Sequence, residues 1–359
     1  MVSVEFNIYD QLKYIKSIIM SASKKKIICY GAGQIFPEFI KRCCVDNKLL
    51  PMPAYVCDGN PALHGKLKCG VPIEPPEKIK NENPNSVLII ITGAYVEVAG
   101  FLNKSMNCYY FPMIPQICFE VYLAFKDRID DAKKITSELS DEPSKYYYNA
   151  VIKNLLRGSI FMPHLFTENQ YYGNDVLINL SNDGSLVFCG AYDGKHITRA
   201  IEINKQIKVH AFEPNEKYAL LLKEEYSNNE NIHVHAKAAY DKNTQLFFDN
   251  SKDLDARIAN TAHDSEGNSF ESILAVKLDD VINEKVNMIA MDVEGAEHEA
   301  IMGAKNIIEK YKPALAICSY HKAEDYLTLP ELIKKINPDY KLYFRHHSSV
   351  HCESVFYAI

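Results

Sequence analysis

The stretch Val187-Phe188-Cys189-Gly190-Ala191-Tyr192-Asp193-Gly194 decides how this chain is read: an apolar run breaks at one glycine, and a second glycine stands just ahead of a helical pattern. A strand that turns on glycine into a helix lets backbone approach a ligand closely and points helix N–H groups outward. About 20 residues further on, Phe212-Glu213-Pro214 ends the next apolar run with a carboxylate, the position from which an acid holds the two ribose hydroxyls of an adenosine ligand. The glycines lack the regular spacing of a dinucleotide loop. The group beyond the ribose need not be a pyrophosphate, so the pattern serves adenosylmethionine as well as a dinucleotide.

Outward from this pair, strand candidates recur at Leu186 to Cys189, Ile207 to Phe212, Ile232 to Ala236, Ile273 to Lys277, Met288 to Asp292 and Ala314 to Ser319, most of them separated by helical stretches. Two last apolar runs, Tyr340 to Arg345 and Ser354 to Ala358, have no helix between them and predict an antiparallel hairpin. The expectation is an α/β fold whose mostly parallel sheet closes on a reversed hairpin. Upstream, Ile27 to Tyr30, Ala54 to Cys57, Val87 to Thr92 and Cys108 to Phe111 predict a smaller parallel α/β unit that opens on Tyr30-Gly31-Ala32-Gly33 and ends near Pro112 and Pro115. From Ile117 to about Leu156 the chain is polar, free of Gly and helically spaced, which reads as a connector. The predicted division is 1–115, 116–170 and 171–359.

Length and composition agree with this plan. At roughly 150 residues per domain, 359 residues suffice for two full cores. Hydrophobic residues at 47%, charged residues at 24%, 15 Gly and 16 Pro exclude a disordered, collagen-like or solenoid chain. Lys+Arg 40 against Asp+Glu 46 leaves a net charge of -6, without the basic surplus that a nucleic-acid partner calls for. The opening helix spaces Ile8, Leu12, Ile15 and Ile19 between charges, unlike a signal peptide, and no run reaches the ~20 apolar residues of a membrane span. The ten cysteines form no CxxC pair and several sit in apolar runs, as expected of a cytoplasmic protein. Self-association into a homo-oligomer is left open.

Chemistry concentrates at two further strand ends. Met288-Ile289-Ala290-Met291-Asp292-Val293-Glu294-Gly295-Ala296-Glu297 discharges three carboxylates just before a helix, more than helix capping requires. Ile317-Cys318-Ser319-Tyr320-His321-Lys322 places a histidine on the same carboxyl edge. With these residues in view, the run from Gly190 through Ala358 resembles the FkbM family of adenosylmethionine-dependent methyltransferases, through GAYDG, FEP, MDVEGAE, the tyrosine-histidine-lysine turn, and the closing RHH with ESVFYA. The resemblance implies a class I methyltransferase sheet of Rossmann-like form with the reversed final hairpin. Two departures stand out: relatives usually carry an aspartate where this chain has Phe188 and a lysine where it has Ala290.

On the resemblance, Gly190, Ala191, Tyr192, Asp193 and Gly194 shape the methionine pocket of S-adenosyl-L-methionine, with Asp193 a candidate for the work of the missing aspartate. Glu213 and Pro214 take the ribose, Lys237 and Ala238 flank the adenine, and Asp292 borders the cofactor. The expected reaction is O-methylation of a sugar or related polyhydroxylated small molecule or glycan, with Asp292 and Glu294 facing the acceptor and His321 as the base. Asp292, Glu294 and Glu297 offer oxygen ligands that would suit magnesium, and His346, His347 and His351 near Cys352 lack a zinc spacing; no metal is assigned. The amino-terminal unit, with YGAG and Cys57-Asp58-Gly59-Asn60-Pro61, is similar to Rossmann-like domains that precede sugar-modifying transferases, but Phe36 replaces the third glycine of a dinucleotide loop. The alternatives are a nucleotide-sugar or NAD-dependent oxidoreductase or epimerase using that unit, and a non-catalytic binding protein.

Overall fold

A computed structural model describes residues 8–93, 98, 101–102, 110–111, 115–159, 162–173, 176, 178, 180–181, 183–249, 257–259 and 270–359. The chain forms two units, one of residues 1–130 and 149–162 and the other of residues 131–148 and 163–359. The stretch expected to be a connector carries the helices Pro115–Phe125, Ile129–Glu138 and Glu142–Leu156, and both units draw on it. Pro112, and Cys108 and Asn107 before the last strand of the first unit, lie outside the described residues.

In the amino-terminal unit, β1 (Lys26–Tyr30), β2 (Tyr55–Cys57), β3 (Leu67–Lys68), β4 (Val71–Glu74), β5 (Val87–Ile91) and β6 (Tyr110–Phe111) form one sheet in the order β3-β4-β2-β1-β5-β6. All of its pairings are parallel except the β3–β4 hairpin. Val87 to Ile91 are buried at every position, as befits a strand covered on both faces. Phe36, where a dinucleotide loop has its third glycine, is wholly buried in the helix that follows the Tyr30–Gly33 turn.

The carboxy-terminal unit is built on a seven-stranded sheet. Its strands are β7 (Ser185–Cys189), β8 (Lys208–Phe212), β9 (Ile232–His235), β14 (Val286–Met291), β15 (Ala314–Cys318), β16 (Leu342–His346) and β17 (Ser354–Ala358), in the order β16-β17-β15-β14-β7-β8-β9. From β15 to β9 every pairing is parallel, and β17 slots between β15 and β16 antiparallel to both. β7, β14, β15 and β17 are buried throughout, which is why their sequences are near-continuous apolar runs, with Ser185, Asn287 and Ser354 near their starts, rather than alternating ones. Strand order reverses beside β7, so the crevice where ligands bind in open α/β sheets lies at the carboxyl ends of β7 and its neighbours.

One expected sheet strand belongs elsewhere. Residues Glu271–Val276 (β13) pair with β10 (Ala238–Ala239) and β11 (Thr244–Asp249), and β11 with β12 (Arg257–Ala259), in a separate four-stranded sheet. Ser272 and Leu274 are exposed while Ile273 and Ala275 are buried, the period of a strand covered on one face only.

The reversed hairpin is anchored by a buried cation. Arg345 on β16, with its side chain 3% exposed, donates from Nη2 to Asp141 Oδ2 at 2.6 Å and from Nη1 to Ser144 Oγ at 2.8 Å. Burial works to raise the Asp141 pKa, but the hydrogen bonds from Arg345 and Ser144 hold it below the usual carboxylate range. Asp141→Asn leaves the guanidinium buried without a counter-charge and should cost about 3 kcal/mol in urea unfolding. Because the folded pKa is depressed, this contribution is present at neutral pH and lost as pH falls through the native Asp141 pKa. A variant as stable as the parent at neutral pH contradicts the assignment.

Candidate functional site

The four sequence signals converge on one edge of the carboxy-terminal sheet. Gly190 to Gly194 follow β7, Glu213 follows β8, Asp292 to Glu297 follow β14, and Ser319 to His321 follow β15. Adjacent parallel strands carry these ends side by side.

The glycine turn is shaped first by its own backbone. Gly190 has φ 81°, and a Cβ there would lie 1.9 Å from the Asp292 carbonyl oxygen. Its glycine is therefore demanded by the approach of the β14 end, where Asp292 N–H donates to Cys189 O at 2.9 Å. Tyr192 also takes a positive φ of 43°, costly for a bulky side chain. Its N–H donates to Glu213 Oε2 at 2.9 Å, while Asn215 N–H donates to Glu213 Oε1 at 2.8 Å. Glu213 is 6% exposed; burial raises its pKa against those two backbone donors. Tyr192 stands outward with its ring 4.5 Å from that of Tyr218.

Asp193 is exposed and accepts the Lys195 N–H at 3.1 Å at the start of the helix Lys195–Ile203, so it does not occupy the place of Phe188 inside the sheet. Pro214 is half-buried beside Glu213. Ala238 is buried against Ile273 and Ala275 in the small sheet, and Lys237 precedes it half-buried; neither joins the acid cluster.

The two departures lie side by side in the sheet. Phe188 on β7 and Ala290 on β14 are register partners, so the usual aspartate and lysine positions face each other across adjacent strands. Both are buried, and with Tyr171 and His196 they line a small cavity beneath the glycine turn. His196 stacks on Phe188 at 6.5 Å and 14°, and burial lowers its pKa to about 4. Phe188→Asp alone should therefore destabilise by about 3 kcal/mol or more, and adding Ala290→Lys should recover at least about 1 kcal/mol of coupling in a double-mutant cycle. Additive losses in chemical denaturation would mean that the two positions do not form a pair.

The acids enclose the histidine. His321 Nδ1 lies 2.9 Å from Glu297 Oε1, and Nε2 lies 3.3 Å from Asp292 Oδ1 and 3.4 Å from Glu294 Oε2. Glu297 is fully buried in the first turn of the helix Glu297–Gly303, where Oε1 also accepts the Val293 N–H. Tyr320 donates its hydroxyl to Asp292 at 3.0 Å. Burial raises Asp292 to about 6 despite the neighbouring His321 charge. Burial pulls His321 down, but Glu297, Asp292 and Glu294 together push it up to about 10. Both ring nitrogens of His321, the residue expected to be the base, face carboxylates, and its side chain is 9% exposed. Asp292 and Glu294, at 27% and 35% side-chain exposure, are the groups that reach the open edge.

Glu297, grouped in the sequence with Asp292 and Glu294 as an oxygen ligand, lies instead on the inner side of the imidazole. One neighbour escapes the sequence. Asp325, raised to about 8 by burial and the Glu297 charge, starts the next helix as an ordinary first-turn acid does. The expected polar histidine loop is in part interior: His346 is buried on β16 with Nδ1 2.9 Å from Ser354 Oγ.

The second glycine turn binds its own chain. In the amino-terminal unit Ala32 N–H donates to Asp58 Oδ2 at 2.8 Å, and Lys68 Nζ donates to the Ala32 carbonyl at 2.6 Å.

Residues 189–341 match the family described as Methyltransferase FkbM domain, and residues 9–99 match the C-methyltransferase C-terminal domain. The solved structure of Methyltransferase FkbM from Methylobacillus flagellatus KT is similar over 98% of this chain and 100% of its own, with a TM-score of 0.64 at 18% identity. Aeropyrum pernix fibrillarin in complex with S-adenosyl-L-methionine aligns with 51% of this chain and 70% of its own, at a TM-score of 0.34 and 8% identity. No curated protein matches the sequence. No helix among the described residues is long and apolar enough to cross a membrane.

Proposed function

Because residues 189–341 match the methyltransferase FkbM domain, we propose that this chain methylates a hydroxyl of a sugar or related polyhydroxylated small molecule, with S-adenosylmethionine as the donor. The observation that carries this is the meeting of Glu213 and the Asp292–Glu294 pair on one carboxyl edge beside the switch point of the sheet.

The residues fit an adenosine ligand. Each Glu213 oxygen receives one backbone N–H and has room for a second donor, so two vicinal ribose hydroxyls can add to a carboxylate that is already held rigid. When bound, S-adenosylmethionine would supply an electrophilic methyl group that passes in line to the acceptor oxygen as S-adenosylhomocysteine leaves. The protein's share is placement and removal of a proton. Asp292 and Glu294 accept hydrogen bonds from acceptor hydroxyls at the open edge and take the proton as the new bond forms. His321 is a positioning residue in this scheme: it sits behind both carboxylates and fixes their separation. A polyol suits a site that offers two carboxylates side by side, since neighbouring hydroxyls can engage both.

Glu213→Ala should weaken S-adenosylhomocysteine binding by about 2 kcal/mol, roughly 30-fold, in calorimetry. Unchanged affinity in a folded variant rejects the cofactor assignment. A product whose added methyl group is found on nitrogen by mass spectrometry rejects the hydroxyl acceptor.

A further inference from the structure

We propose that Asp292, Glu294 and His321 together hold a divalent transition-metal ion of the zinc, manganese or iron(II) kind, with a remaining coordination position open to the acceptor. The ion's role rests on the acceptor site described above; its binding does not.

One donor atom from each of the three residues lies within 4.8 Å of the other two. The imidazole is the telling member. Its side chain is 9% exposed; Nδ1 lies against Glu297 at 2.9 Å, while Nε2 is enclosed without a hydrogen bond of acceptable direction. Leaving such a group undirected costs about 1–3 kcal/mol. Its Nε2 instead points between two carboxylate oxygens at 3.3 and 3.4 Å. Ligand atoms about 2.0–2.1 Å from a tetrahedral ion stand about 3.3–3.4 Å from one another, so the spacing is that of ligands sharing a cation.

The surroundings have the form that ligating groups need. Glu297 Oε1, fixed by the Val293 N–H, lies 2.9 Å behind Nδ1, as a carboxylate does when it orients a metal-binding imidazole. The Tyr320 hydroxyl likewise fixes Asp292. One imidazole with two carboxylates is a mixed nitrogen and oxygen set, suited to zinc, manganese or iron(II) better than to the all-oxygen cages of calcium. Asp292 also approaches Cys318 and Glu353. There the thiol is buried against the Tyr171 hydroxyl and Gln170 donates to Glu353, so that side is closed. An ion on the Asp292–Glu294–His321 side would draw an acceptor hydroxyl to the edge and ease loss of its proton.

The test is manganese binding by the full-length protein, chelator-treated and without cofactor, followed by the electron paramagnetic resonance signal of free Mn2+. One saturable site is expected, weakened at least about tenfold by Glu294→Gln and by His321→Gln. Absence of a saturable site in the parent protein, or a site untouched by the substitutions, overturns the proposal. Glu294 lies on a half-exposed turn, so its variant decides the matter if the His321 variant does not fold. Calorimetry with S-adenosylhomocysteine on the same metal-free sample separates the two readings. Loss of manganese binding with cofactor binding intact rejects the ion alone; the reverse result rejects the cofactor assignment and upholds the ion.

Discussion

The carboxylate of Glu213 holds the edge of the sheet together. An acid that is 6% exposed survives only with donors on both oxygens, and here the donors are backbone N–H groups on either side of it. Tyr192 N–H belongs to the turn after β7, and Asn215 N–H starts the helix after β8. One side chain thereby fixes two loops that the ligand must enter between. The amino-terminal unit repeats the device: Asp58 accepts from Ala32 N–H in its own glycine turn, and from Asn60 N–H two residues on. In both units an acid ending the second strand latches the turn ending the first. The proposed ribose contact would be a second use of a group that the backbone already requires.

A second constraint ties that latch to the acid cluster. The Asp292 carbonyl presses on Gly190, and its N–H is taken by Cys189 O, so the turn after β7 and the turn after β14 move as one body. Glu294 with φ 55° and Gly295 with φ 91° then reverse the chain, which brings Glu297 under the imidazole. The order of the sheet supplies the last element, because β15 lies next to β14 and delivers Tyr320 and His321 from the far side. The ends of β8, β7 and β14 are thus tied to one another by hydrogen bonds between neighbouring turns.

Sequence made most of this legible where burial is two-sided. Runs such as Leu186 to Cys189 and Ala314 to Cys318 are apolar at every position because helices or loops cover both faces of a parallel strand. It was less informative about partners. The run at Ile273 is a strand as expected, but it joins the small sheet, where exposed Ser272 and Leu274 alternate with buried Ile273 and Ala275; an apolar residue at the exposed position 274 hides that period in the sequence. Residue type also hides role. Glu297, Asp292 and Glu294 share one motif, and only the turn at Glu294–Gly295 sends the first inward and leaves the other two at the edge. A histidine following a strand reads as a base until its neighbours are counted in space.

Phe188 and Ala290, buried register partners, keep the floor of the site free of charge. A buried ion pair contributes little net stability when intact, because desolvation offsets attraction, but losing one member leaves a lone charge in the sheet. Register forces the two positions to be treated together: they face each other, and a ring on one side needs a small residue on the other. Phe188 with Tyr171 and the His196 ring fills the space beneath the glycine turn with aromatic surface. Charge available to a ligand is consequently concentrated in front of the sheet, on Glu213, Asp292 and Glu294, and the floor of the site is apolar.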